Sequence, residues 1–142
     1  VGSEMCIRDS IFNTLMVYKN EPQSYTGKPP GLSTRLFLKL GFGGRESFCV
    51  LIYPASGPWL ASSSTALELY DGQGVKLETA QLAIACSGSQ IVRPRQHFSE
   101  ASLSAAGETG YVLIRDVTCR LFGFHGLEDA SGGFSLDHMF GF

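Results

Sequence analysis

Leu36, Leu38 and Leu40 alternate with Arg35, Phe37 and Lys39, and Phe42 extends the series. A period of two is the period of a strand, so one set faces a core and the other faces outward. Gly43-Gly44-Arg45-Glu46 breaks the pattern as a tight, hairpin-like connection. Phe48 to Tyr53 is then a nearly continuous apolar run, which is expected of a central strand covered on both faces. Pro54 to Ser64 reads as an irregular loop that carries the single Trp, Trp59. Thr65 to Tyr70 and Val75 to Thr79 flank Asp71-Gly72-Gln73-Gly74, whose turn chemistry predicts a hairpin with Leu67 and Leu69 in the core.

The second arm of that hairpin runs on through Leu82, Ile84 and Cys86 to a turn at Ser87-Gly88-Ser89. Gln90 to Arg93 is a short strand that Pro94 stops. His97 to Ala106 has a composition that admits a short helix or a single turn. Tyr111 to Arg115 and Arg120 to His125 form a further pair of strands, Gly126 to Gly133 a polar loop, and Phe134 to Phe142 a last apolar segment. Short strands recurring about every 8 to 12 residues, with no long helical pattern between them, predict an all-β antiparallel sandwich of about seven to eight strands rather than βαβ units.

Three segments are expected: a β-sandwich domain over 35–142, an irregular stretch over 11–34, and a foreign tag over 1–10. The stretch 11–34 clusters Pro22, Gly27, Pro29, Pro30 and Gly31, which argues against a helix there. The tag, Val1-Gly2-Ser3-Glu4-Met5-Cys6-Ile7-Arg8-Asp9-Ser10, resembles the in-frame translation of the transposase mosaic-end oligonucleotide used to prepare sequencing libraries. Such a segment is set aside before fold or targeting is argued. Met16 is then a candidate initiator, and an export signal upstream is equally compatible with the sequence.

The formal net charge is −2, of which Glu4, Arg8 and Asp9 supply −1. Near-neutrality lacks the basic footprint of nucleic-acid binding. No apolar run reaches the roughly 20 residues that span a bilayer, and a hydrophobic fraction of 44% with 17 Gly and 10 Phe suits a turn-rich globular domain. With Cys6 set aside, Cys49, Cys86 and Cys119 remain, without CxxC spacing; each sits in or beside an apolar stretch and reads as a small buried hydrophobe. The odd number leans toward a reducing, cytoplasmic compartment, although a single disulfide would be compatible with export.

Leu67-Glu68-Leu69-Tyr70-Asp71-Gly72-Gln73-Gly74, then Gly110-Tyr111-Val112-Leu113-Ile114 and Leu121-Phe122-Gly123-Phe124, resemble bacterial immunoglobulin-like or fibronectin-III-like modules. In those modules an L-Y-D-x-x-G turn precedes a G-Y-V strand. The likeness covers about Thr65 to Phe124 and implies an immunoglobulin-like sandwich with an adhesive or scaffolding role. Cys86, Arg93-Pro94-Arg95 and the closing Ser135 to Phe142 depart from the pattern.

Candidate chemistry is sparse. A hairpin centred between Ser131 and Gly132 would set His125 opposite His138, where two imidazoles could share a transition metal. His97, Cys86 or Cys119 would have to complete the shell, and Asp137 would point to the other face. No HxH, HExxH or CxxC spacing supports such a site, so no cofactor is expected and the metal is the alternative. Arg93, Arg95, Arg115 and Arg120 form a candidate anion clamp, since guanidinium groups on adjacent strands can grip a carboxylate or phosphate. Trp59, with Pro58 and Tyr53, is a candidate ligand platform. There is no G-x-S-x-G elbow, and Gly41-Phe42-Gly43-Gly44 lacks the Lys-Ser/Thr of a phosphate loop. Two functions follow: a non-catalytic module that binds a protein or carbohydrate through its end loops, or a small metal-dependent enzyme built on His125 and His138.

Overall fold

The computed structural model describes residues 33–54 and 60–139. The tag, most of the 11–34 stretch and Trp59 therefore lie outside the described residues. Among the described residues eight strands form two four-stranded antiparallel sheets. The first sheet has the order β1 (Thr34–Lys39), β6 (Tyr111–Asp116), β3 (Thr65–Tyr70), β4 (Lys76–Leu82). The second has the order β5 (Ser89–Val92), β2 (Glu46–Ile52), β7 (Phe122–Glu128), β8 (Asp137–His138). Two short helices, α1 (Pro94–His97) and α2 (Glu100–Ala106), bridge β5 and β6. The chain is an all-β sandwich, as the turn spacing and the strand periodicity indicate. It shares the two-layer architecture of immunoglobulin domains, while its strand order differs from their A-B-E-D against C-F-G.

The alternation in β1 is realised: Leu36, Leu38 and Leu40 are buried and Arg35, Phe37 and Lys39 exposed. Their partners across the sandwich are Cys49 and Leu51 from β2, Tyr53 just after it and Val92 from β5, and together with Leu67, Leu69, Val112 and Ile114 they make one core. The Asp71–Gly74 turn closes β3 on β4 as expected, with Asp71 Oδ1 accepting from Gln73 N and Val75 N at 2.9 Å each. A register shift between Leu69 and Tyr70 accommodates Leu77 as an extra residue. Leu67 and Leu69 are fully buried.

Two expected pairings are replaced by crossings between the sheets. Gly41 to Arg45 is a corner rather than a hairpin, because β1 and β2 belong to different sheets. Gly43 and Gly44 there hold φ of +61° and +74°, a conformation that a Cβ would strain. Likewise β6 and β7 lie in opposite sheets, and the turn between them is built on Asp116. Its Oδ1 accepts from Thr118 N (2.7 Å), Thr118 Oγ1 (2.8 Å) and Cys119 N (2.8 Å), and its Oδ2 from Ser64 N (3.1 Å) and Thr65 Oγ1 (3.0 Å). Thr34 braces the same crossing by donating to Cys119 O and accepting from Leu121 N, both at 2.7 Å.

Candidate functional site

The register of the last hairpin separates the two histidines. Phe124 pairs with His138 and His125 with Asp137, one residue away from the expected opposition. The cause is the turn. Asp129 Oδ1 accepts from Ser131 N, Ser131 Oγ and Gly133 N, and Gly132 takes φ +91°, which closes an odd, five-residue loop centred on Ser131. A one-residue slip moves every side chain to the other face. His125 therefore shares the core-facing side with Cys49 and Asp137, whereas His138 lies on the outer side against the Phe124 ring, centroids 4.8 Å apart. His97 sits on α1, where burial lowers its pKa. Among the described residues no group of three or more metal-capable side chains converges. The geometry thus does not assemble a shell from His97, His125 and His138.

The arginines are also dispersed. Arg93 pairs with Glu128 (Nε to Oε1, 2.8 Å) and Arg95 with Glu46. Arg115 stands on the outer face of the first sheet opposite Arg35, and Arg120 is exposed in the β6–β7 crossing. Beside Arg115 the outer face is occupied with its own partners. Tyr70 and Tyr111 stack at 5.3 Å, Phe37 leans on Tyr111 at 6.1 Å, and Tyr70 Oη donates to the nearly buried Glu68 at 2.9 Å. Aromatic cross-strand pairs of this kind stabilise a sheet.

Arg93 and Arg95 do line a hollow of about 280 Å³ at one open end of the sandwich. Leu40, Pro94 and Leu103 form its walls, Arg45, Glu46 and Glu108 stand on it with the two arginines, and Ser47 lines it from β2. Ser47 is 5% exposed and its Oγ has no hydrogen-bond partner, the only such buried side-chain atom among the described residues. Neither Ser47 nor Arg45 carries a sequence signal, since a lone Ser inside an apolar strand belongs to no motif.

A second surface was also missed. The outward positions of the second sheet are Phe48, Val50 and Ile52 on β2, Ile91 on β5, and Phe122 and Phe124 on β7, in cross-strand register. Ile91 is 49% exposed, and Phe134 (71%) and Leu136 (52%) extend the apolar area beyond β7. The Phe48–Tyr53 run implies a strand covered on both faces; the outer face is covered in part, with Phe48 buried, Val50, Ile52, Phe122 and Phe124 half-buried and the His138 ring against Phe124, while α2 packs on β3 and β4. The signal was present in Phe122-Gly123-Phe124, whose alternation sends both rings to one side.

Cys49 and Cys119 are buried free thiols, and Cys86 is half-buried, in keeping with their apolar sequence settings. Burial pushes the Cys49 thiol up to about 12 and also raises that of Cys119, so neither is a poised nucleophile. No described helix is long and apolar enough to cross a membrane. No family model, no curated protein and no solved structure matches the chain.

Proposed function

We propose that this chain is a non-catalytic β-sandwich module that binds another protein through the outer face of its second sheet. The observation that carries the reading is the contiguous apolar ladder Ile91–Val50–Phe124 with Ile52–Phe122 beside it, half-buried to exposed and continued by the exposed Phe134 and Leu136. Contiguous exposed apolar surface on a soluble fold marks an interaction site. A protein suits this face better than a carbohydrate: its members are aliphatic or Phe, without the Tyr and Trp polar handles that sit well at mixed apolar and polar contacts. The Arg93–Glu128 pair at one end supplies a polar rim of both signs.

The test is retention of proteins from a lysate of the source cells on immobilised wild type and on a Val50→Lys, Phe124→Lys variant. Both positions are half-buried on the outer face, so urea unfolding is measured alongside, and the comparison is made with the variant folded. Proteins held by wild type and released by the variant are expected. Equal retention by a folded variant would remove the basis of the proposal.

A further inference from the structure

The apolar face of the second sheet ends at β5, and that edge has a chemistry of its own. Resting on the protein-binding reading above, we infer that the partner joins the sheet as an added strand along β5, through an extended segment in which apolar and polar residues alternate. Among the described residues β5 has β2 on one side and no neighbour on the other. The ladder with β2 fixes where its backbone groups point. Tyr53 N donates to Gly88 O at 2.9 Å, and the pairing continues through Ile52–Ser89, Leu51–Gln90 and Val50–Ile91 to Cys49–Val92 without a register shift. Antiparallel pairs alternate between those that exchange hydrogen bonds and those that do not. Gln90 and Val92 therefore bond to β2, while Ser89 and Ile91 turn their N–H and C=O groups outward to the free edge.

The other three edges are guarded, and this one is not. β1 carries the exposed Arg35 and Lys39, β4 carries the exposed Lys76 and a register shift against β3, and β8 is two residues long. Charges, bulges and shortness are the devices that keep an edge from pairing. β5 reads Ser89-Gln90-Ile91-Val92, with no charge, proline or register shift, and its first three residues are exposed. A row of open main-chain donors and acceptors recognises an extended backbone, and the alternate side chains of that backbone set specificity. Here they meet two environments. On the outer side they stand next to Ile91, at the end of the Ile91–Val50–Phe124 row, where apolar groups bury surface. On the inner side they meet the exposed Gln90, where polar groups stay wet. One occupant thus uses both the open edge and the apolar face.

Amide hydrogen exchange of the full chain is followed by NMR with a capped peptide of alternating Val and Thr, and with a Ser/Thr peptide of equal length. In the free chain the Gln90 and Val92 amides should exchange slowly and those of Ser89 and Ile91 fast. The Val/Thr peptide should slow Ser89 and Ile91 by about tenfold or more and leave Gln90 and Val92 unchanged, and the Ser/Thr peptide should have no such effect. Ile91→Pro deletes one outward N–H and no bond to β2, so the folded variant should lose about tenfold or more in affinity for the Val/Thr peptide. The inference is overturned by Ser89 and Ile91 amides already protected in the dilute free chain, by protection that rises with protein concentration alone, which would put a second copy on the edge, by no slowing with the Val/Thr peptide, or by undiminished peptide binding in folded Ile91→Pro. The Val50→Lys, Phe124→Lys variant separates the inference from the reading it rests on. Peptide binding lost there but kept by Ile91→Pro leaves the face as the site and removes the added strand. Peptide binding kept there, with Ser89 and Ile91 still protected, sustains the added strand and removes the face.

Discussion

Replacing Asp116 is the sharpest probe of how this sandwich is held together. Its carboxylate is 1% exposed and accepts five hydrogen bonds at the crossing from β6 to β7. The network continues outward: Ile84 N donates to Ser63 Oγ at 3.0 Å, and Ser63 Oγ lies 2.9 Å from Thr65 Oγ1, which donates to Asp116. One side chain therefore ties the β6–β7 turn to the segment before β3. Asp116→Ala removes every acceptor at once. The Thr65 and Thr118 hydroxyls can turn elsewhere, and water can reach Ser64 N and Thr118 N, but Cys119 N remains dry because that residue is 2% exposed. An orphaned donor costs about 1–3 kcal/mol and bonds to a charged acceptor are worth about 1.5–3 kcal/mol each in net terms, so with partial rescue by water the expected loss is about 3–5 kcal/mol. Asp116→Asn keeps one carbonyl oxygen for the Thr118 and Cys119 donors and sets its amide against Ser64 N, for a loss of about 1–2 kcal/mol. Urea unfolding with an unchanged m-value reads both numbers. An Ala loss below 1 kcal/mol, or an Asn variant more stable than wild type, would show that desolvation of the charge outweighs its hydrogen bonds and would refute the reasoning.

Leu69→Ala should cost about 2–5 kcal/mol in chemical denaturation, because the side chain is fully buried on a central strand between β6 and β4; a loss under 1 kcal/mol would contradict the face assignment. Cys49 sets an alkaline limit. Its folded-state thiol is raised from 9.0 to about 12, so the stability it contributes is complete below about pH 9 and is lost as pH climbs toward 12. The loss should be about 1 kcal/mol by pH 10, and a Cys49→Ala variant should show a correspondingly shallower decline in urea midpoint. Native protein at pH 8 should also withhold the Cys49 thiol from a thiol-reactive dye until it is unfolded; rapid labelling of that residue in the folded state would count against its burial.

The local elements were legible in the order of residues alone. Leu36-x-Leu38-x-Leu40 and Leu67-x-Leu69 read as strands with one buried side, and Asp71-Gly72-Gln73-Gly74 as the turn that leads from the second of these into β4, since these depend on a period of two and on residues a few positions apart. The tertiary structure decided which strands pair and where the surfaces open. β1 lies beside β6 and not beside β2, because the Gly43-Gly44 corner and the Asp116 and Thr34 contacts carry the chain across to the other sheet. Those contacts join residues up to 87 positions apart, and no local pattern encodes them. The histidine pair failed by a single residue of register, fixed by the Asp129 hydrogen bonds within its loop rather than by the flanking strands. Whether an apolar run is covered on one face or two, and whether a Ser beside it finds a partner, depends on what the rest of the chain places there. The open ladder of Val50, Ile91 and Phe124 and the hollow at Ser47 therefore became visible only once both sheets were in place.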